Sequence, residues 1–300
     1  MNGTSPCLQI QEKREAIHYA AARGLSERRA CSLVVLNRST ARYELRRPDA
    51  DDALLIEKIK AIQTKSPRFG VRRVHNGLER AGETVNHKRV QRVMRVNGLA
   101  VKRTRRKKTI RTGAGVPCKA LCPNQVWTID FQEDSLLGGC KVRLLNILDE
   151  FTRQWLAVVI VHNASAKLVM GTLLPLFAKR GVPLFLRSDN GGEFIAEDLK
   201  ILLKGVGASS RFIEPGSPWQ NGYIESFHSR LRDELLNRET FVSLVEARVL
   251  LEQHRLWYNA ERPHSSLGYA SPDEFHGIWQ KNQVTSPPIF EGKSTEQKKN

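Results

Sequence analysis

No run of about 18 apolar residues occurs anywhere along the 300 residues, which excludes a membrane-spanning helix of ordinary length. Met1 to Ile10 carries neither a basic leader nor an apolar stretch, so no signal peptide is expected. Cysteine is scarce: Cys7, Cys31, Cys118, Cys122 and Cys140 are too few and too scattered for a disulfide framework. Cys118 and Cys122 have a spacing that metal sites use, but no histidine pair stands at finger-like distance, and free thiols are the plainer reading. These absences predict a soluble, intracellular protein with no membrane partner.

Acidic residues are the other scarcity, and only in one place. The chain has 48 Lys and Arg against 31 Asp and Glu, a formal charge of +17. Met1 to Cys118 holds 27 of the cations and 10 of the acids, a balance of +17; Lys119 to Asn300 holds 21 of each. The whole excess therefore sits in the first third. Solubility does not require such segregation, whereas a polyanion-binding arm joined to a neutral catalytic or scaffolding domain does. Nucleic acid is the natural partner.

Periodicity and punctuation divide that arm into short helices. Gln11 to Arg23 is helix-forming and stops at Gly24; Ser26 is placed to cap Glu27 to Val35; Ser39 is placed to start a third helix with Arg42 and Arg46 exposed. Two short helices with a tight connection make a helix-turn-helix candidate, although Val35-Leu36-Asn37 lacks the glycine often found in that turn. Leu54, Leu55, Ile59 and Ile62 recur at helical spacing and predict a buried stripe. After the break at Pro67-Arg68-Phe69-Gly70, Val71 to Arg80 and Asn86 to Val96 read as two basic helices. Lys88 and Arg92 share a face there, with Arg89 beside them, and phosphate contact weighs about evenly against a plain solvated face. Lys102, Arg103, Arg105, Arg106, Lys107 and Lys108 follow with no acid among them, in a stretch that reads as a basic linker tracking a DNA backbone.

Beyond Leu121 the pattern changes to strands. Val126 to Phe131, Val142 to Leu148 and Leu156 to Val161 are apolar runs, the first two joined across Gly138-Gly139. A helix is expected over Ala164 to Lys179, ended or kinked by Pro175, then a strand at Leu184 to Leu186, a helix at Glu197 to Lys204 and a strand at Ser209 to Ile213. Three meandering strands followed by alternating helices and strands predict a mixed α/β fold around a five-stranded sheet. Long helices are expected at Gly222 to Arg238 and Ser243 to Tyr258.

Three acids stand out against this background. Asp130 closes the apolar Trp127-Thr128-Ile129-Asp130-Phe131, where an unpartnered buried carboxylate is costly. Asp189 follows directly on the fourth strand, and Gly191-Gly192 permits a tight turn there. Glu225 lies early on a helix, after Pro215-Gly216-Ser217-Pro218-Trp219-Gln220-Asn221-Gly222, with 35 residues between it and Asp189. Spacing alone decides little, because any three acids fit some spacing.

The segments around them decide more. Trp127 to Phe131, Ser188 to Phe194, Ser217 to Phe227, and Trp257-Tyr258-Asn259 with Arg262 to Tyr269 together resemble the OrfB-type transposases of bacterial insertion sequences, in the IS-three family, whose core is similar to retroviral integrase. Val85 to Val90 matches the helical region before that core, and the likeness spans residues from about Gly24 to Phe275. It implies an RNase H-like core with a catalytic and metal-binding triad at Asp130, Asp189 and Glu225. The chemistry agrees, since phosphoryl transfer at DNA uses two hard cations about 4 Å apart and carboxylates suit Mg²⁺ or Mn²⁺. The resemblance also implies a DNA-holding role for Arg232, two turns beyond Glu225. Asn190, Gln220 and Asn221 divide evenly between positioning substrate and ordering the loop. Glu193 reads as a loop residue, His228 and His264 as structural rather than as bases, and Trp219 and Trp257 as packing aromatics.

The resulting expectation is a basic helical DNA-binding region of helix-turn-helix type over residues 11–98, a basic linker over 99–121, an integrase catalytic core over 122–282 and a polar tail over 283–300. The His-His-Cys-Cys zinc module of retroviral integrases is not reproduced, which favours the bacterial branch. The resemblance further implies double-stranded DNA, element ends and target, as partner; a homo-oligomer in the synaptic complex; an upstream-frame protein, OrfA, as a separate partner or a fusion; and a cytoplasmic, nucleoid-associated location in a bacterium. A DNA-binding protein without catalysis, and a nuclease that cuts without joining, remain the competing classes.

Overall fold

The computed structural model describes residues 10–42, 50–101, 119–212 and 221–285. The basic run from Lys102 to Lys108, most of the expected linker, Arg46, Cys118, Trp219 and Gln220 lie outside the described residues. The chain divides into two compact units, residues 1–58 and 59–300.

In the first unit α1 (Ile10–Ala22), α2 (Glu27–Leu33) and α3 (Arg38–Ala41) enclose a small core of Ile17, Ala30 and Cys31. Gly24, at φ +89°, supplies the left-handed residue that ends α1. Ser26 occupies the N-cap position of α2 but makes no side-chain cap bond. Asn37, not Ser39, starts α3: its Oδ1 accepts from the Ser39 N–H at 3.1 Å. The turn between these helices is made without glycine by placing Val35 at φ +51°, an uncommon conformation for a β-branched residue. On α4 (Ala50–Lys65), within which the division between units falls, Leu55 and Ile59 are buried but Leu54 is 57% exposed. The expected stripe included both leucines; neighbours on a helix point about 100° apart, so only one of them can face inward.

The second unit opens with α5 (Val71–Arg80) and α6 (His87–Val96), which bury Val74, Leu78, Val90, Val93 and Met94. The Asn86 side chain caps α6 by accepting from the Lys88 N–H at 2.9 Å. The sheet has strand order β3-β2-β1-β4-β5, with β1 (Val126–Ser135), β2 (Lys141–Asp149) and β3 (Trp155–Val161) antiparallel, and β4 (Phe185–Ser188) and β5 (Ser209–Phe212) parallel to β1. Strand alternation sends Trp127, Ile129, Leu145 and Ile147 to one face, under α7 (Ala166–Arg180), α8 (Gly192–Ile195) and α9 (Glu197–Gly205). Leu144 and Leu148 face the other way, under α10 (Gly222–Leu231) and α11 (Leu244–Ala260). Each such fully buried side chain contributes roughly 1.5–3 kcal/mol, so these two layers hold the sheet rigid beneath the acids.

Several elements depart from expectation. β1 runs on past Phe131 to Ser135, Pro175 sits inside α7 without ending it, and Gly191-Gly192 leads into the short α8 rather than a bare turn. The helix expected from Gly222 to Arg238 changes after Leu231 into a π-helical turn, Arg232–Leu236, and α12 (Pro272–Thr285) was not anticipated.

That π turn carries a buried anion, Glu234. Arg262 donates to it from Nε and Nη2, both at 2.6 Å, and Arg73 of α5 donates from Nη1 at 2.8 Å. Burial alone pushes the Glu234 carboxyl up, but the two guanidiniums outweigh it and hold it at about 2. Arg262 is fully buried and also donates to His264 Nε2 at 3.0 Å, while His264 Nδ1 gives its proton to the Arg262 carbonyl at 2.7 Å. The His264 ring is pushed down to about 2 by burial and by Arg262, so it stays neutral, a structural residue as expected. Glu234→Gln leaves the buried Arg262 and the half-buried Arg73 without their counter-ion and is expected to cost about 3–5 kcal/mol. Because the folded carboxyl is depressed, its contribution is present above about pH 4.5 and is lost as pH falls towards 2. Urea midpoints of parent and variant should therefore differ widely at pH 7 and converge near pH 2; equal midpoints at pH 7 would remove the clamp.

Candidate active site

The alternation that buries Trp127 and Ile129 puts Thr128, Asp130 and Gln132 on the α10 face, where Asn146 lies opposite Asp130 across β1 and β2. These polar side chains form a seam under α10. Thr128 Oγ1 donates to Asn221 Oδ1 at 2.9 Å, Gln132 Nε2 donates to the His228 carbonyl at 3.1 Å, and Asn146 Nδ2 stands 3.2 Å from His228 Nε2. An amide N–H donates, so His228 Nε2 accepts and its proton lies on Nδ1, the nitrogen 3.7 Å from Asp130 Oδ2. Burial and nearby Arg232 push the His228 ring down to about 4, so it faces Asp130 as a neutral imidazole rather than as a base in waiting.

The other two acids are brought up by the fold. Thr128 pairs with Arg187 in the β1–β4 register, and continuing that register by two residues sets Asp189 beside Asp130. Arg187 is itself anchored by a buried ion pair with Glu150, at 2.8 and 3.0 Å, which fixes the strand end from which Asp189 projects. The Asp189 side chain accepts from the Gly191 N–H at 3.0 Å; a Cβ on Gly191 would come within 3.1 Å of that same oxygen. Glu225 lies in the first turn of α10, four residues after the buried Asn221 that is tied to Thr128. Asp130 is half-buried, whereas Asp189 and Glu225 are exposed.

Asp130 lies within the reach of its acidic neighbours' charge. Burial, then the charges of Asp189, Glu225 and Glu193, push the Asp130 carboxyl up to about 7, against its one stabilising bond from the Phe131 N–H at 2.7 Å. Glu193, expected as a loop residue, is tied to Arg143 at 3.3 Å. An all-oxygen set of mutually repelling carboxylates is the donor chemistry of a hard divalent cation. Among the described residues no three His, Cys, Asp or Glu are grouped closely enough to hold an ion together, so the acids fit a cation in donor chemistry alone.

The family described as Integrase core domain matches residues 120–218 and again 206–272, and that described as HTH-like domain matches 49–108. The insertion element IS407 uncharacterized 31.7 kDa protein of Burkholderia multivorans is 39% identical over 251 residues, covering 84% of this chain and 90% of the relative. The transposase for insertion sequence element IS904 of Lactococcus lactis is 31% identical over 236 residues, covering 74% and 93%. The chain belongs to the insertion-sequence transposases, in the OrfB-type branch of the IS-three family. Among solved structures, the magnesium complex of the HTLV-2 integrase catalytic core domain is similar at 19% identity and a TM-score of 0.40, covering 52% of the transposase and 98% of that chain.

Of the residues expected to hold DNA, Lys88 and Arg92 are exposed on α6 and Arg89 is half-buried. Arg232 lies in the π turn, donates to the Glu133 carbonyl and stands 3.8 Å from Asp134, which ties it to the end of β1. Trp257 packs on Phe69 and His254. The sequence reading missed Thr128, Gln132 and Asn146; their signal was polar residues at every second position of otherwise apolar strands.

The raised Asp130 carboxyl sets the sign of a pH effect in the transposase. Between about pH 4 and 7 the unfolded chain loses this proton while the folded chain keeps it, so stability falls as pH rises through that window and is flat above it. Asp130→Asn removes the fall. Without divalent cation the variant is expected to melt at roughly 2–6 °C above the parent at pH 7.5 and level with it near pH 4. Added Mg²⁺ should raise the parent's midpoint and leave the variant's unchanged; a variant melting below the parent at pH 7.5 would contradict this.

Proposed function

We propose that the transposase cleaves and joins DNA by phosphoryl transfer at Asp130, Asp189 and Glu225, which would hold two Mg²⁺ or Mn²⁺ ions. The observation that carries this reading is the Asp130 carboxyl pushed up to about 7 by burial and its acidic neighbours, a charge imbalance that cations relieve. Ions bound there supply an activated oxygen nucleophile, water for cleavage and a 3′-hydroxyl for joining, and stabilise the leaving oxygen.

The chain's own residues supply position. Asn221 pins the start of α10 to β1, and with it the turn that bears Glu225. His228 Nδ1 lies alongside Asp130, and Arg187–Glu150 steadies the root of Asp189. Arg232 would contact phosphate beside the triad, with Lys88, Arg89 and Arg92 and the basic run Lys102, Arg103, Arg105, Arg106, Lys107 and Lys108 gripping duplex DNA further along. We read residues 11–98 as the DNA-binding region, 99–121 as its linker, 122–282 as the catalytic core and 283–300 as a tail. Pairing of two element ends calls for a homo-oligomeric synaptic complex, with OrfA as a partner or fusion, on the bacterial nucleoid in the cytoplasm.

A labelled element end incubated with target DNA and Mg²⁺ tests the triad. Asp130→Asn, Asp189→Asn and Glu225→Gln should each lower joining by about 10³ or more, since the loss of several kcal/mol of charge stabilisation costs tenfold per 1.4 kcal/mol. Binding to the same duplex should be retained. Joining within a few-fold of the parent in any of the three would remove that residue from the site, and cut but unjoined product from the parent would make it a nuclease.

A further inference from the structure

We propose that residues 10–42 carry a second DNA-contact surface, built on Arg28, Arg29 and Arg38 and taking double-stranded DNA through its phosphates. It lies outside the segment matched by the HTH-like family, which starts at residue 49, and it rests on the DNA-acting reading above.

The cations of this small unit fall into two groups. Residues 10–42 contain seven Lys and Arg, namely Lys13, Arg14, Arg23, Arg28, Arg29, Arg38 and Arg42, against the acids Glu12, Glu15 and Glu27. Four of the seven are engaged within the unit. Arg14 donates from Nε and Nη2 to the Thr40 carbonyl at 3.2 and 2.8 Å, and Lys13 donates to the Val35 carbonyl at 3.4 Å. Arg42 forms a two-pronged pair with Glu27 at 2.7 and 2.5 Å, and Arg23 lies over the Tyr19 ring at 4.2 Å. With a core of only Ile17, Ala30 and Cys31, these ties hold the turn and α3 in place. Arg28, Arg29 and Arg38 take no part in them. All three side chains are exposed, and none makes a side-chain hydrogen bond or a close ion pair among the described residues; the charge of Arg38 also acts on Glu27.

Position and chemistry then favour a polyanion over plain solvation. From Arg28 to Tyr43 there is no acid, and Glu27 is already occupied by Arg42. The free cations are all arginine, whose planar fork matches phosphate oxygens in pairs, where lysine offers a point charge. An exposed hydroxyl at Ser32 adds a donor of the kind that contacts DNA backbones, whereas the Ser39 hydroxyl already donates to Asn37 Oδ1 at 3.0 Å. Leu33 and Val35 beside them are 69% and 80% exposed, an apolar margin suited to thymine methyl groups. The Asn37 cap and the left-handed Val35 fix the turn that places Arg38 at the head of α3 after the two α2 arginines.

The full-length chain is titrated onto a fluorescent duplex of mixed sequence at several KCl concentrations, comparing the parent with Arg28→Gln/Arg29→Gln/Arg38→Gln and with the triple lysine variant. Each phosphate contact contributes about 0.9 to the slope of log K against log salt, so the glutamine variant should lose about 2–3 from the slope. The lysine variant should keep it. A photo-crosslinking side chain at Ser32 in the parent should attach to the duplex. An unchanged slope in the glutamine variant, or attachment at position 32 to protein instead of DNA, would overturn this surface while leaving the catalytic reading intact. A parent that binds no duplex at any salt would overturn both.

Discussion

The period of two along β1 is the constraint on which the rest of this structure depends. Because side chains alternate, the same six residues that bury Trp127 and Ile129 must present Thr128, Asp130 and Gln132 to α10. A slip of one residue would bury Asp130 in the α7 face and turn the tryptophan into the seam. The apolar layers therefore fix the register, and the register delivers the acid. Asp130 is tolerated in that position because its surroundings are polar by design of the strands: Asn146 opposite, His228 above, and the Phe131 N–H on one oxygen.

The helix bearing Glu225 is held at both ends by different means. At its start, the buried Asn221 accepts from Thr128 two residues before Asp130, so the distance between the two acids is governed by one hydrogen bond and a few covalent steps. Beyond its end, the π turn drops Glu234 into the grip of Arg262 and Arg73. A π turn inserts an extra residue into the helical repeat, and such bulges recur at functional sites. Here it brings Glu234 inward while Arg232 reaches the end of β1. Arg73 belongs to α5, within the segment matched by the HTH-like family, so that segment and the π turn that follows α10 share a buried anion.

Much of this was legible in the sequence, for identifiable reasons. The first three strands of the sheet were found because their apolar runs are long and bounded, and α5 because Pro67 to Gly70 breaks the chain before it. The three acids were singled out through the resemblance of the segments around them, because their wide spacing carries little information of its own. What escaped notice needed three dimensions. Ser26 and Ser39 were plausible caps by type, yet Ser26 stands at the head of α2 without making the bond, and Asn37, two residues before Ser39, caps α3. Leu54 was assigned to a buried stripe that can hold only its neighbour. Arg262 and His264 carried no local sign that one would be fully buried and the other hold a single neutral tautomer, since Arg262 is held by Glu234 on a π turn 28 residues earlier and His264 is in turn held by Arg262. The end of β1 was placed too early because Gln132, Glu133 and Asp134 are poor strand formers, held in the ladder by Leu144, Arg143 and Val142 opposite.

Glu234 and Asp130 work in opposite senses, and the contrast explains their placement. Glu234 is more buried than Asp130 yet is held at about 2, because two guanidiniums meet it directly; Asp130 is pushed to about 7, because its neighbours are acids. The first arrangement is complete within the chain and adds stability at neutral pH. The second is incomplete, and folding is opposed by the ionised carboxyl it creates. A chain that places its compensated charge away from the acids and its uncompensated charge among them keeps the cost of the site separate from what secures the fold. Neutralising Asp130 should therefore remove a cost from the fold, whereas neutralising Glu234 should remove a support, even though both changes exchange one carboxylate for an amide of the same shape.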